Sequence, residues 1–403
     1  MNIGILTFYF DNDNFGGQLQ ARALVKAIEY NTDYRAEQIQ YDNKKSWNKM
    51  PYKKRVLLSL CQAFSSGIGN GIDFVCGRFK AEKKIKENNG LKDTLKSELN
   101  KRKEAFHRFY NDTQHSEKVY DNDSITDCLP QYDCFICGGD QIWNDWSDWF
   151  LYNSLGTFCL EFVPQSITKL SYAPSVPIQK VRPVFIRRLS NYLKKFDAIS
   201  VREKSSVHLL EEKIEKPVTV VVDPVLLLTK EQWDKEKQDS HIQGKYVFCY
   251  LLGEGNESRN AVEKLARELD CKLVTVPHII EVNEWDVNFG DIQNYDAGPA
   301  EFIDLIKNAE IVVTDSFHAT VFSMIYHKLF YVLERTTQIS GGSMGSRLTD
   351  FLHEYKLESQ MVTVEQLTEV HHVSEINFEN ADVILERRRE ESYEYLKKNI
   401  KKK

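Results

Sequence analysis

The chain has 403 residues, more than a single hydrophobic core usually spans, so its length predicts two domains. With 42% hydrophobic and 28% charged residues it has the composition of a globular protein, and a formal net charge of −6 leaves no basic footprint that would make nucleic acid the main partner.

In chain order, NIGILTFYF (2–10) predicts a strand. NFGGQ (14–18) predicts a turn into the helix-patterned QLQARALVKAIEYN (18–31), whose leucine, alanine and isoleucine share one face. Residues 43–110 are basic and mostly helical in pattern, with an aromatic and Gly-Ser interruption from Phe64 to Gly71, and predict an inserted helical excursion without assignable chemistry. DCFICGGDQIWN (133–144) follows as strand and glycine turn. Next come KLSYAPS, the helix-like VRPVFIRRLSNYLKKF (181–196), the strand DAISVR (197–202), the helix KSSVHLLEEK (204–213) and the strand VTVVVDPVLLL (218–228). Such alternation marks a parallel sheet covered on both faces. KEKQDSHIQG, ending at Gly244, reads as a hinge. A second round then runs through KYVFCYLLG, SRNAVEKLARELD, CKLVTVP, GPAEFIDLIKNA, EIVVTD (310–315), HATVFSMIYH (318–327) and LFYVL. ADVILERRREESYEYLKKNIKKK (381–403) predicts a charged helix whose apolar stripe is too narrow to stand alone, so it should pack back across a domain. The fold class is therefore α/β, with an N-terminal domain over 1–235, a C-terminal domain over 244–375 and a returning helix over 376–403.

The N-terminus has no basic segment, and Asp11 and Asp13 interrupt its apolar run, so it does not read as a signal peptide. Nowhere do roughly 18 apolar residues follow one another, as a spanning helix requires. The expected location is the cytoplasm. Lysines mixed with glutamates near residues 44–55 and 78–103 read as a solvated face, while peripheral contact with the inner face of a membrane stays open. Of eight cysteines, Cys134 and Cys137 form a C-x-x-C pair, but residues three apart on a strand point to opposite faces and could not easily share a zinc ion. Together with Cys128 they read as buried, reduced thiols.

Polar clusters recur at the carboxyl ends of the predicted strands, where ligands bind in open α/β sheets. TDSFH places Asp315, Ser316 and His318 between a strand and the amino end of a helix, whose unpaired N–H groups favour anions. Asp315 or Ser316 could cap that helix, and capping would account for both. DAIS runs into Arg202, placed for bidentate binding of carboxylate or phosphate; the bland reading is a surface pair with Glu203. CGGDQIWN brings Asp140, Gln141 and Asn144, with hydrogen-bonding groups suited to sugars. NFGGQLQ brings Asn14, Gly16, Gly17 and Gln18, and neither segment has the G-x-G-x-x-G spacing of a dinucleotide site. Trp143, Trp146 and Trp149 offer sugar-stacking faces or core packing, and the two readings stand level.

Seven segments in order, NFGGQLQARAL, YDCFICGGDQIWN, KLSYAPS, AISVREKS, VVVDPVLLL, VVTDSFHATVFSMIYHKLF and GSRLTDFL, resemble the polysaccharide pyruvyl transferases. The resemblance implies two Rossmann-like domains facing a cleft, as in the GT-B-type glycosyltransferases. It implies phosphoenolpyruvate as donor and a sugar of a lipid-linked or nucleotide-linked glycan precursor as acceptor. Carried over by position, the family's arginine is Arg202 and its histidine His318. Some members have a lysine one strand and loop further on; here that region offers Arg335 and Arg347 as candidates for donor binding, beside Ser316. On this reading His318 protonates the donor's methylene carbon and Arg202 holds its carboxylate or phosphate. Acceptor recognition falls to Asn14–Gln18 and Asp140–Asn144, and no cofactor or metal is required. Two alternatives stand beside it. One is a GT-B-type glycosyltransferase using a nucleotide sugar; the other is a non-catalytic glycan-binding relative, against which an intact Arg202 and His318 speak.

Overall fold

A computed structural model gives the structure of residues 1–53, 55–57, 93–144, 154–176, 183–278, 284–335, 344–369 and 376–403. The chain builds two parallel sheets. In the first, β1 (Asn2–Leu6), β2 (Arg35–Gln38), β3 (Cys134–Gly138) and β4 (Thr168–Tyr172) take the order β2-β1-β3-β4. β5 (Ile199–Val201) and β6 (Val218–Val220) pair in parallel and extend it past β4, where Leu170 bridges Ala198 and Ser171 and Ser200 exchange hydroxyl-to-carbonyl hydrogen bonds of 2.9 and 2.8 Å. The second sheet holds β7 (Tyr246–Tyr250), β8 (Lys272–Thr275), β9 (Ile292–Gln293), β10 (Ile311–Thr314), β11 (Leu329–Leu333) and β12 (Met361–Val362). Its order, β12-β11-β10-β7-β8-β9, is that of a dinucleotide-binding doubly wound sheet.

Strands covered on both faces must be apolar throughout, and CFICG and YVFCY are buried at every position. Cys134 and Cys137 enter two different hydrophobic clusters from opposite faces of β3. Burial pushes the Cys134 thiol up to about 12. Among the described residues no cluster of histidine, cysteine or carboxylate side chains could hold a metal ion. No helix among them is long and apolar enough to cross a membrane.

The elements differ from the sequence expectation in ways that shape the crevice between the sheets. β1 stops at Leu6 because Gln18 donates from its side-chain amide to the carbonyls of Tyr9 and Asn12, curling residues 7–13 into a loop. Helix α1 (Phe15–Asn31) begins three residues earlier than its apolar pattern, capped by the Asn14 side chain, which accepts from Gly17 N–H at 3.0 Å. VVVDPVLLL is not one strand. β6 ends at Val220, Asp223 caps a short helical turn over Pro224–Leu227, and Pro224 occupies its first position, where the missing N–H costs nothing. Of the insertion, a helix over Asn43–Lys49 and helix α2 (Lys96–Asn111) are described; Phe64–Gly71 lies outside the described residues.

The two halves share one core. Phe15 of α1 stacks on Phe302 of helix α3 (Pro299–Asn308) with ring centroids 4.5 Å apart, and both belong to a cluster that also takes in Ile5 and Phe248. Arg102 of α2, 2% exposed, donates to the carbonyls of Tyr295 at 2.6 Å, Pro277 at 2.9 Å and Asn294 at 3.0 Å in the second half. Burial pulls its guanidinium down to about 10, so it stays charged at neutral pH. The last helix, α4 (Glu379–Asn399), crosses back as its stripe predicts: Tyr395 donates to Ser171 O at 2.9 Å, and Ser392 Oγ accepts from Val222 N–H at 3.0 Å. Arg102→Ala strands three buried carbonyls and should cost on the order of 3 kcal/mol, read as a lower urea midpoint; an unchanged midpoint would show that Arg102 does not fasten the halves.

Candidate functional site

Most residues of the candidate site stand just beyond the carboxyl end of a strand. Arg202 follows β5, Asp223 follows β6 by three residues, and Asp140 follows β3. Asp315 and Ser316 follow β10, and His318 sits in the first turn of helix α5 (Phe317–Ile325). Arg347 is carried by a helix over Met344–Glu354.

Asp223 is where they meet. Its carboxylate, with no side-chain exposure, receives Arg202 Nη1 and lies 3.8 Å from His318 Nε2. Its other oxygen accepts from Val225 N–H at 2.9 Å. Arg202 also places Nε 3.3 Å from Glu203 Oε1 and its guanidinium carbon 4.6 Å from the centroid of the Phe317 ring. Glu203 is in turn fixed by Ser175 Oγ at 2.5 Å and Val176 N–H at 3.2 Å. The Arg202–Glu203 pair is therefore no surface contact: both side chains are buried, and removing either partner would leave an uncompensated charge.

Two nitrogens in this cluster, Arg202 Nη2 and His318 Nε2, are buried without a hydrogen-bond partner among the described residues. Buried polar nitrogens without partners are uncommon, and two on residues that meet at one carboxylate suit an anion. The histidine ring is pressed from the other side by α1. A Cβ built on Gly16 would lie 2.0 Å from His318 Nδ1, so only glycine allows the ring its place. Burial lowers the His318 pKa below its ordinary 6.5, and Arg202 and Arg347 lower it further, against the opposing charges of Asp223 and Asp140. For Arg202, burial works against the cation, and Glu203, Asp223 and Asp140 together more than reverse it.

The other expected residues fall into three groups. Arg347 joins the cluster: the Gln141 amide oxygen faces its guanidinium nitrogens at 2.7 and 2.9 Å, and Asn144 adjoins the other end of that amide. Burial, then the neighbouring Arg202, brings Arg347 down to about 10. Arg335 is turned to the loop after β10, donating to Asp315 O at 2.9 Å with Nε 3.6 Å from the Asp315 carboxylate. Asp315 does not cap α5; it accepts from Leu252 and Gly253 N–H, each at 2.7 Å, and ties the loop after β7 to the site. Ser316 occupies the capping position without making the capping hydrogen bond. Asn14 and Gln18 spend their side chains on the start of α1 and the loop before it. Trp143 is fully buried, donating to Phe158 O at 3.2 Å, which removes it as a stacking face; Trp146 and Trp149 lie outside the described residues.

Asp223 and Glu203 are the residues whose part in the site the sequence did not reveal. The sequence pattern places Asp223 inside one strand over 218–228, and in the structure it caps the helical turn that follows β6. A cavity of about 720 Å³ opens from Arg202, Asp223, Phe317 and Arg347 toward Lys204 and Arg387 on α4.

A family model described as polysaccharide pyruvyl transferase matches residues 14–336. No curated protein matches the chain. Among solved structures, the UDP-GlcNAc 2-epimerase from Methanocaldococcus jannaschii is 12% identical with a TM-score of 0.50, over 98% of this chain and 100% of that one. The S. aureus MnaA–UDP co-structure is 12% identical with a TM-score of 0.48, over 99% and 97%. The UDP-GlcNAc 2-epimerase from Neisseria meningitidis bound to UDP-GlcNAc is 14% identical with a TM-score of 0.45, over 96% and 99%. The first of these likenesses shows the fold, a GT-B-type pair of Rossmann-like domains.

Two measurements check this geometry. The His318 imidazole, followed by NMR, should titrate below pH 6.5; a midpoint above that value would mean the ring is not buried among cations. Gly16→Ala should displace the ring and move that midpoint, whereas Gly17→Ala, whose Cβ meets the Asn12 amide at 2.8 Å and not the ring, should leave it in place.

Proposed function

The chain belongs to the polysaccharide pyruvyl transferase family, and on that premise we propose that it transfers the pyruvyl group of phosphoenolpyruvate, as a ketal, to a sugar of a surface-glycan precursor. The observation that carries this reading is the pair of unpartnered buried nitrogens, Arg202 Nη2 and His318 Nε2, on either side of one carboxylate. A small donor with two anionic groups suits such a place.

The donor's carboxylate or phosphate takes Arg202, with Arg347 as the second cation. His318 delivers a proton from Nε2 to the methylene carbon, leaving a cation at C2 that one sugar hydroxyl attacks, losing its proton. The bond between C2 and the bridging oxygen then breaks, phosphate leaves with that oxygen, and the second hydroxyl closes the ketal. One of the two hydroxyl protons replaces the one spent on the methyl group, and the other departs with phosphate as hydrogen phosphate. The arginines stabilise the charge that grows on the leaving group. They depress His318 in the free protein, and a bound anion offsets their charge, so the acid form is favoured once the donor is in place. We place the acceptor in the cavity toward Lys204 and Arg387, because the side chains of Asn14 and Gln18 are used within their own loop; its volume of about 720 Å³ exceeds what a three-carbon donor fills. A lipid-linked acceptor would bring the protein to the inner face of a membrane.

The test is incubation with phosphoenolpyruvate and a panel of lipid-linked and nucleotide-linked sugars. A mass gain of one pyruvate ketal, with phosphate release, supports the reading. Absence of both, together with stabilisation by a nucleotide sugar and none by phosphoenolpyruvate, refutes it. A ligand at 100 times its dissociation constant adds about 2.7 kcal/mol, a clear thermal shift. His318→Ala should lower kcat at least ~100-fold. Because the acid form of the free protein is lost above a midpoint under 6.5, kcat/KM should fall as pH rises through that value, and the corresponding limb of kcat should lie at higher pH. Coincident limbs would mean that the donor does not recharge His318.

A further inference from the structure

A buried site that gathers arginines around an acid must keep that acid protonated against its neighbours. The groups facing His318 are Asp223 and Asp140 on the anionic side and Arg202 and Arg347 on the cationic side, with Glu203 and Arg335 acting on those arginines. Tyr172 and Tyr355 face Asp223 from β4 and from the end of the helix over Met344–Glu354, and burial holds both phenols high and neutral. Of the two carboxylates on His318, only Asp223 also makes an ion pair with Arg202.

The geometry of that sharing is specific. Asp223 is held beyond the end of β6 by its cap to Val225 N–H through one oxygen, which leaves the other to Arg202 and His318. His318 is fixed by Gly16 on one side and keeps Nε2 at 3.8 Å, beyond a hydrogen bond but within reach of one after a small movement. Arg202 keeps an unused arm, Nη2.

We propose that Asp223 is the positioning residue of this site: its carboxylate, shared between Arg202 and His318, passes from the arginine to the histidine when the donor's anionic groups take the guanidinium. Donor binding and charging of the acid are then one event. Without donor, Asp223 is committed to Arg202 and the imidazole is neutral. With donor, the guanidinium has another anion, and the freed carboxylate draws a proton onto Nε2, where the methylene carbon waits. The step needs no reactant beyond the donor and a proton from solvent.

This inference rests on the pyruvyl-transfer reading, and its test keeps the two apart because it needs no turnover. His318 is titrated by NMR with and without phosphoenolpyruvate and no acceptor. In the wild type the donor should raise the midpoint by about one unit or more, a tenfold gain in the acid form; an unchanged or lowered midpoint overturns the proposal even where ketal is formed. Asp223→Asn keeps an oxygen for the Val225 cap and removes the charge. It should titrate lower than wild type, show less than half the donor-induced rise, and lose at least tenfold in kcat with KM for phosphoenolpyruvate changed less than threefold. Asp223→Glu should recover part of the rise. A full rise in Asp223→Asn overturns the role, and should that variant not fold, Asp223→Ser, which also keeps an oxygen for the Val225 cap and removes the charge, takes its place with the same readings. Failure of the wild type to form ketal with any acceptor, despite a donor-induced rise, would count against the activity and leave the coupling standing.

Discussion

The constraint on which this structure turns is the burial of cations. Arg202 is buried and Arg347 partly so, near enough to repel each other, at a junction of two sheets, and such charges persist only where anions are built in with them. Asp223, Glu203 and Asp140 supply those anions from the ends of β6, β5 and β3. The compensation is incomplete, because one arm of Arg202 and one nitrogen of His318 stay unmatched. A fold that buries this much charge and leaves it partly unsatisfied has its stability and its chemistry in the same few residues.

The rest of the molecule serves that junction. Parallel strands bring their carboxyl ends to one crevice, and the returning helix binds Val222 and Ser171 so that β4 and the segment after β6 keep their places. Arg102, Phe15 and Phe302 fasten the opposite side. The result is that Gly16 of the first half and His318 of the second lie against each other, although each stands on a helix of a different half. The contact leaves no room for a side chain, which is why the glycine pair after β1 matters less as a turn than as a gap.

Much of this was legible in the sequence. Apolar runs such as CFICG and YVFCY announce strands covered on both faces, and their alternation with amphipathic helices announces the parallel sheets. Arg202 and His318 could be singled out because each follows such a run. What could not be read is pairing at a distance. Asp223 lies within an apolar run that reads as one strand, which hides both its cap ahead of Pro224 and its contacts with Arg202 and His318. Asp315 has the sequence position of a cap and instead clamps a loop more than sixty residues away, because two free N–H groups there outbid the helix start. Gly16 and Gln18 look like ligand contacts on a glycine turn, and their neighbours, His318 and the Tyr9 carbonyl, are visible only once the chain is folded. Short edge strands such as β9 and β12, two residues each, are below the length at which periodicity carries information.

The central claim, that one anionic donor lies between Arg202 and His318, is tested most directly by a crystal structure with phosphoenolpyruvate bound. The account predicts an oxygen of the donor on Arg202 Nη2 and its methylene carbon facing His318 Nε2. A donor seated elsewhere, with the Arg202–Asp223 pair undisturbed and both nitrogens still unapproached, would contradict it.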